Sequence, residues 1–302
     1  MAAPRKHAFQ VRADDVGLRL DQIVPRHVAE LSRRKARLVI ELGGVFVDKK
    51  RVKVAGRTLR EGQRVEVHLG GVFERAQPGA ARAAAEADAA LFEAVQVVHV
   101  DDALVVVDKP AGVLSAPTPE SDTGNLATWL RERLGGEVHV VHRLDRLTSG
   151  LLVYARSGAV AAQLAEGLRA RELMRRYELA VVGRVPFEET DVTAPVRGKD
   201  ARTQFVTVAA SDAASRLRAK LFTGRTHQIR VHALGLGHPV CGDPVYRSTG
   251  EAARGAVKAP RLCLHASTLA FVHPGSGKEM GFESPWPAEL EAWWRALETP
   301  PA

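Results

Sequence analysis

Residues 76–90, AQPGAARAAAEADAA, hold nine Ala, one Pro and one Gly but no large apolar side chain. Such a stretch has nothing to bury, so it cannot lie in a core. At most its Ala content supports a transient helix. A chain of 302 residues interrupted there must build two separate hydrophobic cores. The expected division is a small domain over 1–75, an Ala-rich linker over 76–92 and a larger domain over 93–302. No internal repeat is evident.

The charge divides at the same place. The net charge is +8, from 43 Lys and Arg against 35 Asp and Glu. Residues 1–72 carry 16 basic and 8 acidic side chains, and the remaining residues carry 27 of each. A basic module joined to a neutral one suggests a polyanion-binding part beside a part with another task. At 45% hydrophobic and 26% charged residues, the chain has globular rather than disordered composition. Apolar runs such as Ala103–Val107 and Gly150–Ala155 are far shorter than the roughly 18 residues a membrane span needs. The N-terminus is charged before any apolar stretch, so neither a membrane partner nor a secretory leader is expected. Cys241 and Cys263 stand 22 residues apart without a CxxC pairing. Neither a disulfide scaffold nor a zinc ribbon is expected, and a cytoplasmic setting fits.

In the first module Leu20, Ile23 and Val24 recur about a turn apart, with Pro25 limiting or kinking that short helix. Ser32 then caps RRKARLVIEL, and Gly43 stops it. Ala36, Val39 and Ile40 share one face of this second helix; Arg33, Arg34 and Arg37 share another. Val45–Val47, Val52–Val54 and Val65–Leu69 follow as short strands separated by turns. Over about residues 16–70 this order resembles the S4 RNA-binding domain. The resemblance makes Arg33, Arg34 and Arg37 candidate phosphate contacts, with salt-sensitive and weakly sequence-selective affinity.

Beyond the linker, apolar strand-like runs recur at Val95–Val100, Leu104–Val107, Gly150–Ala155, Tyr177–Val182, Phe205–Val208, Leu217–Phe222 and Leu262–Leu264. Helical patterns fall at Leu126–Leu134, Ala159–Arg169, Gln228–Leu236 and Ala288–Leu297. Strands that outnumber helices without alternating with them argue for an α+β fold with a mixed sheet.

The stretch Val141-His142-Arg143-Leu144-Asp145-Arg146-Leu147-Thr148-Ser149-Gly150 precedes the apolar run LLVYA. A carboxylate flanked by two Arg, where a loop meets a strand, is a poor core builder and a good way to present an acid. HRLD-x-x-TSG is similar to the active-site motif of the RluA-type pseudouridine synthases. Three further segments resemble that family in the same order: Asp108-Lys109-Pro110-Ala111-Gly112, then Arg175-Arg176-Tyr177-Glu178-Leu179, then Thr223 to His232 with Gly237 to Tyr246. The resemblance implies an S4-like domain followed by a pseudouridine synthase domain whose mixed sheet is mainly antiparallel.

It also implies a chemistry. Uridine becomes pseudouridine when the N1–C1′ bond breaks, the uracil turns, and the ring rejoins through C5. No net redox change or group transfer occurs, so no cofactor is expected. The resemblance makes Asp145 the essential carboxylate, open to three roles: attack on C1′, removal of a ribose proton, or addition to the base. It makes Arg230 the partner of that carboxylate and Tyr177 the ring against the uracil. Arg143 would fill the space the flipped base vacates, and Ile229 would line the uracil pocket. The family often has Lys two residues before the Tyr, where this chain has Arg175.

His227 and His232 are five residues apart and no HExxH or Cys cluster accompanies them, so no metal is expected. TGRTHQIR lacks the GxxxxGK[ST] pattern of a nucleotide-hydrolysing loop. The expected partner is RNA, large-subunit ribosomal RNA first and tRNA as the alternative, bound by a monomer. Two rivals are a noncatalytic RNA-binding or assembly factor and a glycosidic-bond hydrolase. The first would not need Asp145, Tyr177 and Arg230 together, and the second usually pairs two carboxylates.

Overall fold

The computed structural model describes residues 5–41, 43–69, 90–117, 124–247 and 257–298. Residues 76–89, most of the expected linker, lie outside the described residues, whereas 90–93 are helical. The chain divides into two compact units: Met1–Ala90 with Pro117–Thr128, and Leu91–Ala116 with Trp129–Ala302.

The first unit is a four-stranded antiparallel sheet with two helices. Strand β1 (Arg5–Gln10) leads to helices α1 (Leu20–His27) and α2 (Arg33–Glu41), then strands β2 (Val45–Val47), β3 (Lys50–Val52) and β4 (Arg64–Leu69). The sheet order is β1-β4-β2-β3. Along β4 every second residue is buried, Val65, Val67 and Leu69 turning toward Leu20, Ile23, Val39 and Ile40. This alternation is what a sheet with one covered face requires. Helix α1 continues through Pro25 to His27. The expected strand at Val52–Val54 lies earlier, at Lys50–Val52. Asp48 and Lys49 both adopt positive φ and close a tight hairpin, so the chain pairs with β2 at once and leaves Val54 exposed. Strand β1, whose sequence RKHAFQ has no clear alternation, owes its conformation to pairing with β4.

The second unit is a ten-stranded sheet. Its strands are β5 (Gln96–Val100), β6 (Leu104–Lys109), β7 (His139–Val140), β8 (Ser149–Ala155), β9 (Met174–Val182), β10 (Glu189–Val192), β11 (Thr203–Ala210), β12 (Ala214–Leu221), β13 (Leu264–Val272) and β14 (Glu279–Glu283). The order is β10-β11-β12-β9-β13-β8-β6-β5, with β14 on β13 and β7 on β8. Among the described residues only β13 and β8 pair in parallel, so the sheet is mixed and mainly antiparallel, in an α+β fold. Helix α3 (Leu126–Leu134) spans the division between the units; α4 (Gly158–Ala170), α5 (Gln228–Gly235) and α6 (Ala288–Glu298) belong to the second. Strand β13 begins where the run at Leu262–Leu264 ends and continues to Val272. His265, Ser267 and Thr268 interrupt the apolar pattern after Leu264, so the strand's continuation was not legible as one run.

Strand β8 is buried along its whole length, which marks the centre of the sheet. It carries Gly150 at φ +111, and a Cβ there would lie 2.3 Å from the Ala266 carbonyl oxygen of β13. No other residue fits that parallel contact, five positions after Asp145. Gly150→Ala is expected to cost about 2–4 kcal/mol through strain and overpacking. That lowers Tm by on the order of 5–10 °C. A melt within 1 °C of wild type would refute this reading of the contact.

Candidate active site

In the second unit a cavity of about 490 Å³ is lined by Arg143, Asp145, Arg175, Tyr177, Ile229 and Arg230, among others. Stretches distant in sequence build it: the loop before β8, the end of α4, the first half of β9, the loop and first turn of α5, and Leu264.

Asp145 stands on the loop 141–148, where the chain cannot rely on a strand to hold it. The KPAG segment does so instead. The Leu144 carbonyl accepts from Ser115 Oγ at 2.8 Å, and the Leu144 N–H donates back to that oxygen at 3.1 Å. The Gly112 N–H donates to the Arg146 carbonyl at 2.7 Å, while Arg146 Nε donates to the Gly112 carbonyl at 2.8 Å. Lys109, fully buried at the end of β6, donates Nζ to the carbonyls of Pro110 (3.0 Å), Val113 (3.0 Å) and Arg146 (3.3 Å). Three carbonyls match the three N–H bonds of an ammonium group. Burial nevertheless pushes its pKa down to about 7, against an opposing pull from Asp145.

Behind the loop a second set of bonds holds the start of β8. Ser149 Oγ meets His265 Nδ1 at 2.9 Å, His265 Nε2 meets Ser284 Oγ at 2.9 Å, and Ser284 Oγ donates to Asp108. Because Ser284 spends its proton on Asp108, His265 must donate from Nε2 and accept at Nδ1. Arg261 Nη2 donates to Ser149 Oγ at 3.1 Å.

Asp145 is paired with Arg230, whose Nη1 lies 3.2 Å from Asp145 Oδ2. The guanidinium is only 4% exposed. Its other edge is gripped by Asp243, with Nε to Oδ2 at 2.6 Å and Nη2 to Oδ1 at 2.8 Å. Burial opposes both charges. Hydrogen bonding between them outweighs it, holding the Asp243 pKa below and the Arg230 pKa above their usual values. Asp243 also accepts from the N–H groups of Val245 and Tyr246, and the Arg230 guanidinium lies over the Tyr246 ring, 4.9 Å from its centroid. The bend at Asp243 needs Gly242, where φ is +72 and a Cβ would lie 2.0 Å from the Arg261 carbonyl oxygen.

His227 opens α5 in a left-handed conformation, φ 59, unusual for a side chain other than Gly. Its Nδ1 meets the Tyr246 hydroxyl at 3.0 Å and its Nε2 lies 3.8 Å from Asp145 Oδ1. Burial lowers its pKa, only partly offset by Asp145, so the ring is neutral at pH 7. The preceding loop is stiffened by buried Gln228, which accepts from Thr223 Oγ1 and the Arg225 N–H and donates to the Arg202 carbonyl and Thr203 Oγ1.

Tyr177 and Ile229 are each 4% exposed and line the cavity wall; burial raises the Tyr177 pKa. Arg143 is exposed at the rim, between buried His142 and Leu144. The structure thus brings Asp145, Arg143, Tyr177, Ile229 and Arg230 to one cavity. In the first unit, Arg33 is half-buried with Nε 3.5 Å from Asp21, Arg37 bonds Glu41 at 2.8 Å, and Arg34 is exposed. Asp243, Lys109, Gln228 and His227 received no role from the sequence. A Lys closing an apolar run just before Pro, and an Asp between Gly242 and Pro244, were the available signals. Among the described residues no group of three or more His, Cys, Asp or Glu is placed to hold a metal ion. None of the described helices is long and apolar enough to cross a membrane.

A mixed, mainly antiparallel sheet and a cavity where Asp145 meets Arg230, whose other edge Asp243 holds, define a class, and comparison with known proteins agrees with it. Residues 103–234 match the RNA pseudouridylate synthase family and residues 18–65 match the S4 domain. A ribosomal large subunit pseudouridine synthase D from Nitrosomonas europaea is 34% identical over 94% of this chain and 86% of its own length. A dual-specificity RNA pseudouridine synthase RluA from Pasteurella multocida is 34% identical over 63% of this chain and 93% of its own. Among solved structures, human RNA pseudouridylate synthase domain containing 4 shares the fold at a TM-score of 0.56 and 22% identity, covering 70% of this chain and 96% of that one. The chain belongs to the RNA pseudouridine synthase family and carries an N-terminal S4 domain.

Two outcomes test the site's architecture. Asp243→Asn keeps the size of the side chain but removes the charge that grips Arg230. It is expected to lower single-turnover rate by about 10–100-fold, of the order lost with a buried charge-assisted pair, while RNA affinity stays within about threefold. An unchanged rate would show that Asp145 does not depend on the array. For Lys109, the folded pKa of about 7 lies below the ordinary lysine value of 10.5. The unfolded chain therefore binds the extra proton between those values, and folding stability rises with pH across that window. Lys109→Met is expected to lack that rise in melts compared at pH 6.5 and 9.5, although its orphaned carbonyls each cost about 1–3 kcal/mol. Parallel pH profiles for the two proteins would refute the assignment.

Proposed function

We propose that this protein isomerises uridine to pseudouridine in large-subunit ribosomal RNA, with Asp145 carrying the chemistry. The observation that supports this most directly is the Asp145 carboxylate, held on one oxygen by Arg230 and facing a cavity walled by Tyr177 and Ile229. Arg230 occupies Oδ2, while Oδ1 lies 3.8 Å from His227 Nε2, too far for a hydrogen bond. One carboxylate oxygen thus remains available to the nucleotide, whether it attacks C1′, removes a ribose proton or adds to the base.

The reaction conserves atoms. The N1–C1′ bond breaks, a C5–C1′ bond forms, C5 gives up its proton and N1 regains one. The enzyme must hold the detached uracil and exclude water, which Tyr177 and Ile229 do by covering its faces. The target must first leave its stack, costing a few kcal/mol. Arg143, exposed at the rim, is suited to fill the gap, since its planar guanidinium stacks and donates at once. The S4 domain supplies phosphate contacts, with Arg34 and its neighbour Lys35 exposed on α2. A cytoplasmic location follows from an rRNA substrate and two unpaired buried cysteines.

A transcript of large-subunit rRNA tritiated at uracil C5 tests the activity. Tritium release without free uracil is expected, and Asp145→Asn abolishes release while affinity changes less than about threefold. Free uracil would make the protein a hydrolase, binding without release would make it a binder, and release from tRNA alone would reassign the substrate. For the S4 domain, Arg34→Gln with Lys35→Gln is expected to reduce the slope of log affinity against log salt by about 1–2. An unchanged slope would remove that face from the interface.

A further inference from the structure

The cavity holds more positive charge than one carboxylate needs. Besides Arg230, it is lined by Arg143, Arg169, Arg171, Arg175 and Arg225, and Asp145 is the one acidic side chain lining it among the described residues. Arg169 pairs with Glu166 and Arg225 donates to the Asp200 carbonyl. Arg175 is different. It is 8% exposed, and its Nε is buried without a hydrogen-bond partner among the described residues. Beside it His142 is 7% exposed with both ring nitrogens unpartnered. Burial, then the Arg175 charge, holds the His142 pKa down to about 3, so the ring adds no second charge.

Buried polar groups are normally bonded, and leaving one unbonded costs about 1–3 kcal/mol. Two adjacent side chains left so, both facing one cavity, mark a place built for a ligand. The position is specific: Arg175 and Tyr177 lie on the same face of β9, two residues apart, a spacing of about 6.6 Å along a strand. Gly224 makes room, since a Cβ there would come within 3.2 Å of Arg175 Nη1. Arg171, exposed at the left-handed end of α4 with φ 66, stands on the approach to this wall.

We infer that Arg175 and His142 form a subsite for a backbone phosphate flanking the flipped uridine. This rests on the cavity being the uridine site. Arg offers donors and no acceptor, which matches a phosphodiester's two free oxygens and not a uracil edge that alternates donors with acceptors. Neutral His142 contributes one N–H donor to the same oxygens. Arg175 therefore acts on where the nucleotide sits, with the base contacts left to Tyr177 and Ile229. The departure from Lys at this position then has a consequence, because a guanidinium grips two oxygens where an ammonium meets one.

The test uses the full-length protein and the rRNA stem-loop it protects in footprinting, made synthetically with a neutral methylphosphonate at each loop phosphate in turn. Dissociation constant and tritium release from C5 are both read. One neutral linkage beside a uridine is expected to weaken wild-type binding at least about tenfold, the scale of a charge-assisted hydrogen bond. Arg175→Gln loses a similar factor on native RNA and no more than about twofold further on that neutral linkage; Arg175→Lys falls between. Losses that multiply would show that Arg175 contacts something else, such as the uracil edge, and overturn the proposal. Wild-type indifference to every neutral linkage overturns it without any variant. Absence of tritium release from native RNA would defeat the isomerase reading instead, while the affinities would still decide the subsite.

Discussion

A buried guanidinium shared between two carboxylates organises the catalytic domain. At 4% exposure the Arg230 charge would be poorly compensated without Asp243, which fills one edge with two short bonds. With that edge occupied, the remaining Nη1 has one direction left, toward Asp145. The array sets the rotamer of Asp145 from outside its own loop. It also explains why α5 starts where it does. Arg230 is the third residue of that helix, and the left-handed His227 before it swings the chain so that Nε2 faces Asp145 Oδ1.

The other half of the constraint is the backbone of the Asp145 loop. Four hydrogen bonds between residues 112–115 and 144–146 fasten it to the KPAG segment, and Lys109 adds a fifth from below. Such a loop would otherwise sample many conformations at a cost of about 1–2 kcal/mol per residue to order. Here the ordering is built into the folded sheet, so the Asp145 carboxylate is positioned before any ligand arrives. The parallel contact of β8 with β13 at Gly150 then ties the loop's far end to the centre of the sheet.

The charge distribution follows the same division. In the first unit Arg33 meets Asp21 and Arg37 meets Glu41. Each pair removes one basic and one acidic side chain and leaves the excess unchanged, so other residues present it, exposed Arg34, Lys35 and the hairpin from Lys49 to Lys53 among them. Residues 73–302 are neutral overall, yet the second unit gathers six Arg around one cavity. Local concentration, not net charge, equips it for a polyanion.

The sequence by itself pointed to two cores, the mixed sheet and most strand and helix positions and, through the resemblance its motifs carry, to Asp145, Tyr177 and Arg230 as candidates that the fold brings to one cavity. Those features are written locally, in apolar periodicity, turn residues and four ordered motifs. It could not show β1, whose pattern is set by its partner strand, nor the short β3 hairpin, which depends on two residues adopting positive φ. Nor could it show that Arg33 turns inward, because helical spacing places a side chain on a face but does not say which acid waits there. Tertiary structure alone decided that Asp243, 98 positions after Asp145 in the chain, completes the array, that Lys109 is buried beneath the loop, and that Arg175 Nε and both His142 ring nitrogens are buried without hydrogen-bond partners among the described residues. Each of those is a matter of desolvation and distance between segments far apart in the chain, and neither quantity exists until the sheet has closed.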